Sequence, residues 1–233
     1  MAGSNVFVSE VLRVGPLTLT STVLMTWGIM LVLGIAAWAA SRNLSVSPSP
    51  SPWQVAIEGI VSAIEDAIRL VLPDQFAQVL PFIATLWIFI VVANLASVIP
   101  AVHSPTGDLS LTAALAILVF LAVHWYGIRA NGLKSYLRHY LKPNPILLPF
   151  HVISEITRTV ALAVRLFGNI FSLQMAALLI LLVAGFLAPV PVLMLHIIEA
   201  LVQAYIFGML ALIYIAGALQ SQQLKQDLER SNK

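Results

Sequence analysis

The chain has 233 residues, 60% of them hydrophobic and only 9% charged, whereas a soluble domain carries roughly a quarter charged residues. Twelve Lys and Arg against ten Asp and Glu is too small a surplus for a nucleic-acid footprint, and the absence of cysteine excludes disulfides, thiolate metal sites and a cysteine nucleophile. A mean hydropathy of +0.95 points to membrane embedding, with about 20 apolar residues needed for each helical crossing.

A polar leader, residues 1–16, holds Glu10 and Arg13 and is expected to lie outside the membrane. The first apolar run, 17–40, is long enough to span. It lacks the basic flank and cleavage pattern of a secretory signal, so it reads as a retained span. Ser47 to Pro52 reads SPSPSP, an extended linker. From Trp53 to Leu72, Glu58, Glu65, Asp66 and Arg69 interrupt Ile57, Ile60, Val61, Ile64 and Ile68 at spacings of three and four. That is an amphipathic helix, placed either at the membrane surface or against a partner.

The second span is expected at 79–99, closed by Pro100, and the third at 109–130, after the polar HSPTGDLS loop and with His124, Trp125 and Tyr126 at an interface. Asn131 to Lys142 is basic and leads through three prolines to a fourth span at 146–186. Its proline-free stretch of about 37 residues would measure ~55 Å, more than one upright crossing, so it either tilts strongly or bends back on itself, and the unbroken apolar tail from Met175 to Phe186 favours a single oblique helix. A fifth span, 191–222, and a charged tail, 223–233, complete the chain. The fold class predicted is an all-α integral membrane protein of about five transmembrane helices plus the amphipathic one, the last two spans long and tilted. The positive-inside rule sets Arg42, Arg69, Arg129, the 134–142 loop and the tail in the cytoplasm, against Arg13 alone outside.

Arg158 and Arg165 fit neither side, because both lie inside the fourth span. Arg165 stands between VALAV and LF, and an arginine at bilayer depth costs roughly 3 kcal/mol on insertion scales. At 100° per residue, His151, Glu155, Arg158, Arg165, Asn169 and Ser172 share one side of that helix. His196, Glu199, Gln203 and Tyr214 share one side of the next. One reading is purely structural: Glu155 pairs with Arg158, and Glu199 with His196. The functional reading starts from the fact that arginine does not release its proton, so it can hold a partner's carboxylate ionised but cannot relay a proton itself. Glu155 on the inner side, and Glu199 with His196 on the outer side, would then line separate aqueous vestibules divided by the guanidinium. For His103, His124 and His139, near loops or interfaces, no special role is expected, and Asn94 and Asp108 sit where capping is the ordinary duty.

The segment SEITRTVALAVRLFGNI from Ser154 to Ile170 resembles the signature of the subunit a family of F-type rotary ATP synthases. NLASVIP from Asn94, SPTGDLSLTAALA from Ser104, KSYLRHYLKP from Lys134 and HIIEALVQAYIF from His196 extend the resemblance over nearly the whole chain. It implies a non-catalytic stator with two offset half-channels that carry protons to and from the carboxylates of a c-subunit ring. It implies that Arg165 faces that ring, that Asn169 and Gln203 neighbour it, and that His196 lies toward the outer half-channel. Peripheral-stalk b subunits, the rest of the FoF1 complex and the lipid bilayer are the implied partners; no cofactor, metal or nucleic acid is. The remaining ion-pathway candidates are Glu155, Arg158, Glu199, Asp108 and His151. The chain departs from the family pattern at His151, where many members have glutamate, at Thr159, where proline is usual, and at Gln174, where an acidic or histidine side chain often follows. Glu199, one turn before Gln203, is expected to supply the acid that Gln174 cannot.

The competing classes are a self-contained secondary transporter or channel and a passive anchor. Repeated halves and a Gly/Pro-broken helix pair, the marks of many transporters, are missing, and no GxxxxGK[ST] phosphate loop occurs, so nucleotide chemistry belongs to other subunits.

Overall fold

The computed structural model describes residues 10–14, 17–43, 51–96, 105–132, 148–184 and 189–231. A two-stranded antiparallel hairpin, β1 (Glu10–Val14) and β2 (Leu17–Thr20), precedes the helices α1 (Ser21–Asn43), α2 (Pro52–Val71), α3 (Phe76–Leu95), α4 (Leu109–Asn131), α5 (Leu148–Ala184) and α6 (Pro189–Ser231). A short 3-10 turn, Pro105–Gly107, stands before α4. Among the described residues, all of these helices except α2 are long and apolar enough to cross a membrane.

Two differences from the sequence reading concern the ends. Leu17–Thr20, expected as the start of the first span, pairs as a strand with Glu10–Val14, and Val11, Val14, Thr18 and Thr20 are residue types that favour strands. The helix therefore begins at Ser21. The last helix does not stop near Gln222 but runs to Ser231, because Leu, Lys, Gln, Glu and Arg in that tail are good helix formers. The basic loop from Lys134 to Lys142, with His139, and the residue His103 lie outside the described residues.

Local chemistry sets the other boundaries. Ser51 caps α2 by accepting the Gln54 N–H at 3.3 Å, and Pro52 occupies the first turn, where its missing N–H costs nothing. Asp108 caps α4 by accepting the Ser110 N–H at 2.9 Å. The other end of α4 closes at Gly132, whose φ of 74° is a conformation open to glycine and whose N–H bonds Ile128 O at 2.8 Å. α2 turns Ile64, Ile68 and Leu72 inward, while Glu65 and Arg69 pair on its exposed side.

α6 is the hub of the bundle: it packs against α2, α3, α4 and α5, and α4 also packs along α5. Val79, Ile83, Trp87 and Ile90 of α3 bury against Ala204, Phe207, Ala211 and Ile215 of α6 in one continuous core. α1 stands apart, with Trp27, Met30, Leu31, Val32, Ile35 and Trp38 all exposed. Its tie to the bundle includes a hydrogen bond in which the Thr22 hydroxyl donates to Asp108 Oδ2 at 2.8 Å.

α3 and α6 approach closely at Gly208. Trp87 lies flat on Gly208, where an added Cβ would fall within the indole ring. The indole stacks on Tyr205 at 5.7 Å between ring centroids, and its N–H donates to the Tyr205 carbonyl at 3.3 Å. Gly208→Ala is therefore predicted to force these helices apart, at about 1–3 kcal/mol for an overpacked site. A lowered unfolding temperature of the purified variant checks this; an unchanged one contradicts it.

Candidate functional site

α5 and α6 run antiparallel, and two polar contacts fix their register. Arg158 places its guanidinium over the ring of Tyr214, 4.4 Å from the centroid. Asn169 donates from Nδ2 to Gln203 Oε1 at 2.6 Å. Each contact lies eleven residues from the other along its own helix, which is three turns, so the two polar stripes deduced from periodicity meet along one seam.

Arg165 lies between these contacts, close to the middle of the 37-residue α5. Its side chain is exposed, with exposed Val160 and Val164 beside it on α5 and Leu201, Val202 and Tyr205 exposed on α6. Among the described residues Arg165 has no hydrogen-bond or ion-pair partner. One turn further on, Asn169 is half-buried and Gln203 is 1% exposed. The Gln203 amide nitrogen is buried and has no acceptor from the described residues.

Four helices, α1, α3, α4 and α5, pack around the 3-10 turn, and a buried polar node joins this region to α6. The Thr106 hydroxyl donates to Asn94 Oδ1 at 2.7 Å, and Asn94 Nδ2 donates to the Ala200 carbonyl at 3.3 Å. His196 Nε2 stands 3.4 Å from the Asn94 backbone carbonyl oxygen. Asn94 and Thr106 are 0% exposed and His196 4%. Glu199, half-buried, sits on α6 between His196 and Gln203. Gln174 from α5 covers Gly107, its amide oxygen 2.8 Å from where a Cβ would stand.

The sequence candidates thus fall into three groups along the seam. His196, Glu199 and Asp108 belong to the end marked by the 3-10 turn; Arg165, Asn169 and Gln203 to the middle; Arg158, Glu155 and His151 to the opposite end. Ser172 is exposed on α5 toward the first end. Neither structural ion pair anticipated from spacing forms among the described residues: Arg158 turns to Tyr214 rather than Glu155, and the Glu199 carboxylate has no partner. His124 bonds within its own helix, Nδ1 to Phe120 O at 2.8 Å.

Sequence reasoning missed Thr106 and treated Asn94 as a capping residue. In the structure Asn94 instead ties α3 to α6. An asparagine in the last turn of an apolar span was the available signal, but nothing local says that its partner is 106 residues away. Thr106→Val is predicted to remove the buried hydrogen bond to Asn94 Oδ1, at about 0.5–1.5 kcal/mol. Thermal unfolding should show the loss for Val and near-complete recovery for Thr106→Ser; equal stability of the two variants would contradict the node's role.

A family model described as ATP synthase A chain matches residues 23–216. An "ATP synthase subunit a 2" of Pelobacter propionicus is 64% identical over 214 residues, 92% of this chain and 93% of that one. The "ATP synthase subunit a" of Legionella pneumophila strain Paris is 60% identical over 93% of this chain and 94% of its own. An "ATP synthase subunit a 1" of Hahella chejuensis is 64% identical over 90% and 88%. With a match of this extent to the family model and to full-length relatives, the chain belongs to the ATP synthase A chain family and is a multi-pass membrane protein.

Proposed function

We propose that this chain is the stator of an F-type ATP synthase that passes protons to and from the c-ring through two offset half-channels, with Arg165 as the cation that faces the ring carboxylates. The observation that supports this reading above all is an exposed guanidinium, midway along a long apolar helix, with no counter-charge among the described residues of its own chain. Such a group calls for a carboxylate from outside. A rotor that presents one carboxylate after another meets that need, and the passing acid is held ionised beside the cation.

The half-channels follow from the groups at each end of the seam. Toward the 3-10 turn, His196 and Glu199 offer titratable groups above Asn169 and Gln203, and Asp108 lies beyond them. At the opposite end, Glu155 and His151 serve the second vestibule, with Arg158 between them and the centre. The permanent charge of Arg165 blocks a direct proton path between the two, so an ion must ride the rotor from one to the other. A membrane potential then contributes ~2.3 kcal/mol per charge per 100 mV across these offset paths.

With Arg42, Arg69 and Arg129 on the cytoplasmic side, the 3-10 turn and the N-terminus face outward and the C-terminus inward, in a bacterial plasma membrane. The largely exposed α1 offers its apolar flanks to lipid and to a membrane helix of the peripheral-stalk b subunits. ATP chemistry resides in the soluble sector, and no resident cofactor is required here.

Arg165→Ala is expected to abolish ATP-driven pumping and ATP synthesis while the complex still assembles; retained coupled activity removes the assignment. Glu199→Gln is expected to slow proton pumping at least roughly tenfold, in line with the 10²–10⁴-fold contributions of positioned acid–base groups. Normal pumping by that variant would show that Glu199 does not replace the acid missing at Gln174.

A further inference from the structure

Two permanent cations share one face of α5, two turns or ~10.5 Å apart, yet they are held differently. Arg165 is exposed and without a partner among the described residues, whereas the Arg158 guanidinium lies 4.4 Å from the centroid of the Tyr214 ring. Glu155, three residues before Arg158 and within its reach on the same helix, has no carboxylate partner among the described residues.

We propose that Tyr214 is a positioning residue of the ion pathway: by stacking on Arg158 it parks the second cation against α6, leaving Glu155 as a free carboxylate at the inner vestibule and Arg165 as the one cation presented to the rotor. This rests on the reading of Arg165 as rotor-facing.

Three physical points lead there. A guanidinium in apolar surroundings takes the strongest partner it can reach, and a carboxylate three residues away would ordinarily be that partner, through a charge-assisted and often bidentate pair. Such a pair would cancel the negative charge of Glu155 and occupy the oxygens that must take up a proton. An aromatic face attracts the same cation through its quadrupole without consuming an acid. The position of the ring is also set independently of the arginine. Tyr214 belongs to the α5–α6 seam whose register is fixed three turns away by Asn169 and Gln203, and Ile215 and Ala216 beside it are buried in the core. Finally, charges interact over this separation when little water intervenes, so an unrestrained Arg158 would compete with Arg165 for the rotor carboxylate.

The experiment uses the assembled synthase in inverted membrane vesicles, with ATP-driven pumping measured in intact vesicles and passive proton and sodium conduction measured after removal of the soluble sector. Tyr214→Phe, which keeps the aromatic face, should pump within about twofold of the parent, and Tyr214→Leu should lose roughly tenfold, the range open to a desolvated cation–π contact. In an Arg158→Gln background, Tyr214→Leu should cost nothing further, because the cation to be parked is gone. Should Tyr214→Leu fail to assemble, Tyr214→Met takes its place. Equal damage from Phe and Leu, a harmless Leu, or the same Leu penalty with and without Arg158 would each overturn the proposal, the last by showing that the ring acts through packing. Arg165→Ala in the Tyr214 parent tests the rotor reading separately, since pumping that survives there defeats that reading whatever the Tyr214 series shows.

Discussion

A charge that cannot be neutralised, carried at the middle of an apolar helix, constrains everything around it. Arginine keeps its proton in any protein environment, and its placement at bilayer depth costs roughly 3 kcal/mol or more. The chain could have offset that cost with an internal carboxylate, and Glu155 and Glu199 are both available on the same two helices. Neither is used among the described residues, and Arg165 is left exposed on the side of the bundle. The neighbouring groups that touch across the seam, Asn169 and Gln203, are neutral amides, which hydrate and orient without cancelling charge. The molecule therefore stores an unmet electrostatic demand at one place and surrounds that place with apolar contact surface.

Holding such a site requires that α5 and α6 keep their relative position. The polar node of Asn94, Thr106 and His196 binds α3, the 3-10 turn and α6 at one end, and the contact of Trp87 with Gly208 brings α3 against α6 nearer the middle. At the far end Tyr126 of α4 donates its hydroxyl to the Gln78 carbonyl of α3, and its ring meets Phe82 edge-on. Polar contacts at the two ends and a glycine–aromatic contact between them hold α3 and α4 as a frame against which α6 packs.

The fold was largely legible because its main signal is composition: five apolar stretches of spanning length need no tertiary information to be seen. The polar stripes were legible for the same kind of reason, since 100° per residue is local geometry, and the arginine was conspicuous by its surroundings. Long-range partners were not. Nothing near Arg158 distinguishes a bond to Glu155 from a stack on Tyr214, because the second depends on how two helices settle against each other. The same holds for Asn94, for Gly208 beneath Trp87, and for Gln174 resting on Gly107. The hairpin at Glu10–Val14 and Leu17–Thr20 was missed because β-branched residues next to an apolar run read equally well as its beginning.

α1 differs from the other spans in how little of it is enclosed: none of its most apolar stretch is buried within the chain. Besides the Thr22 hydroxyl that reaches Asp108, Ile29 and Leu33 rest partly buried against the core, and the rest of its apolar surface is largely open. Substitutions on its open face should be tolerated as long as greasiness and length are kept, whereas the half of α6's most apolar stretch that is buried among its neighbours has far less freedom. Sequence drift between relatives should accordingly concentrate in the first crossing, giving lineages latitude to fit different bilayers without disturbing the enclosed helices.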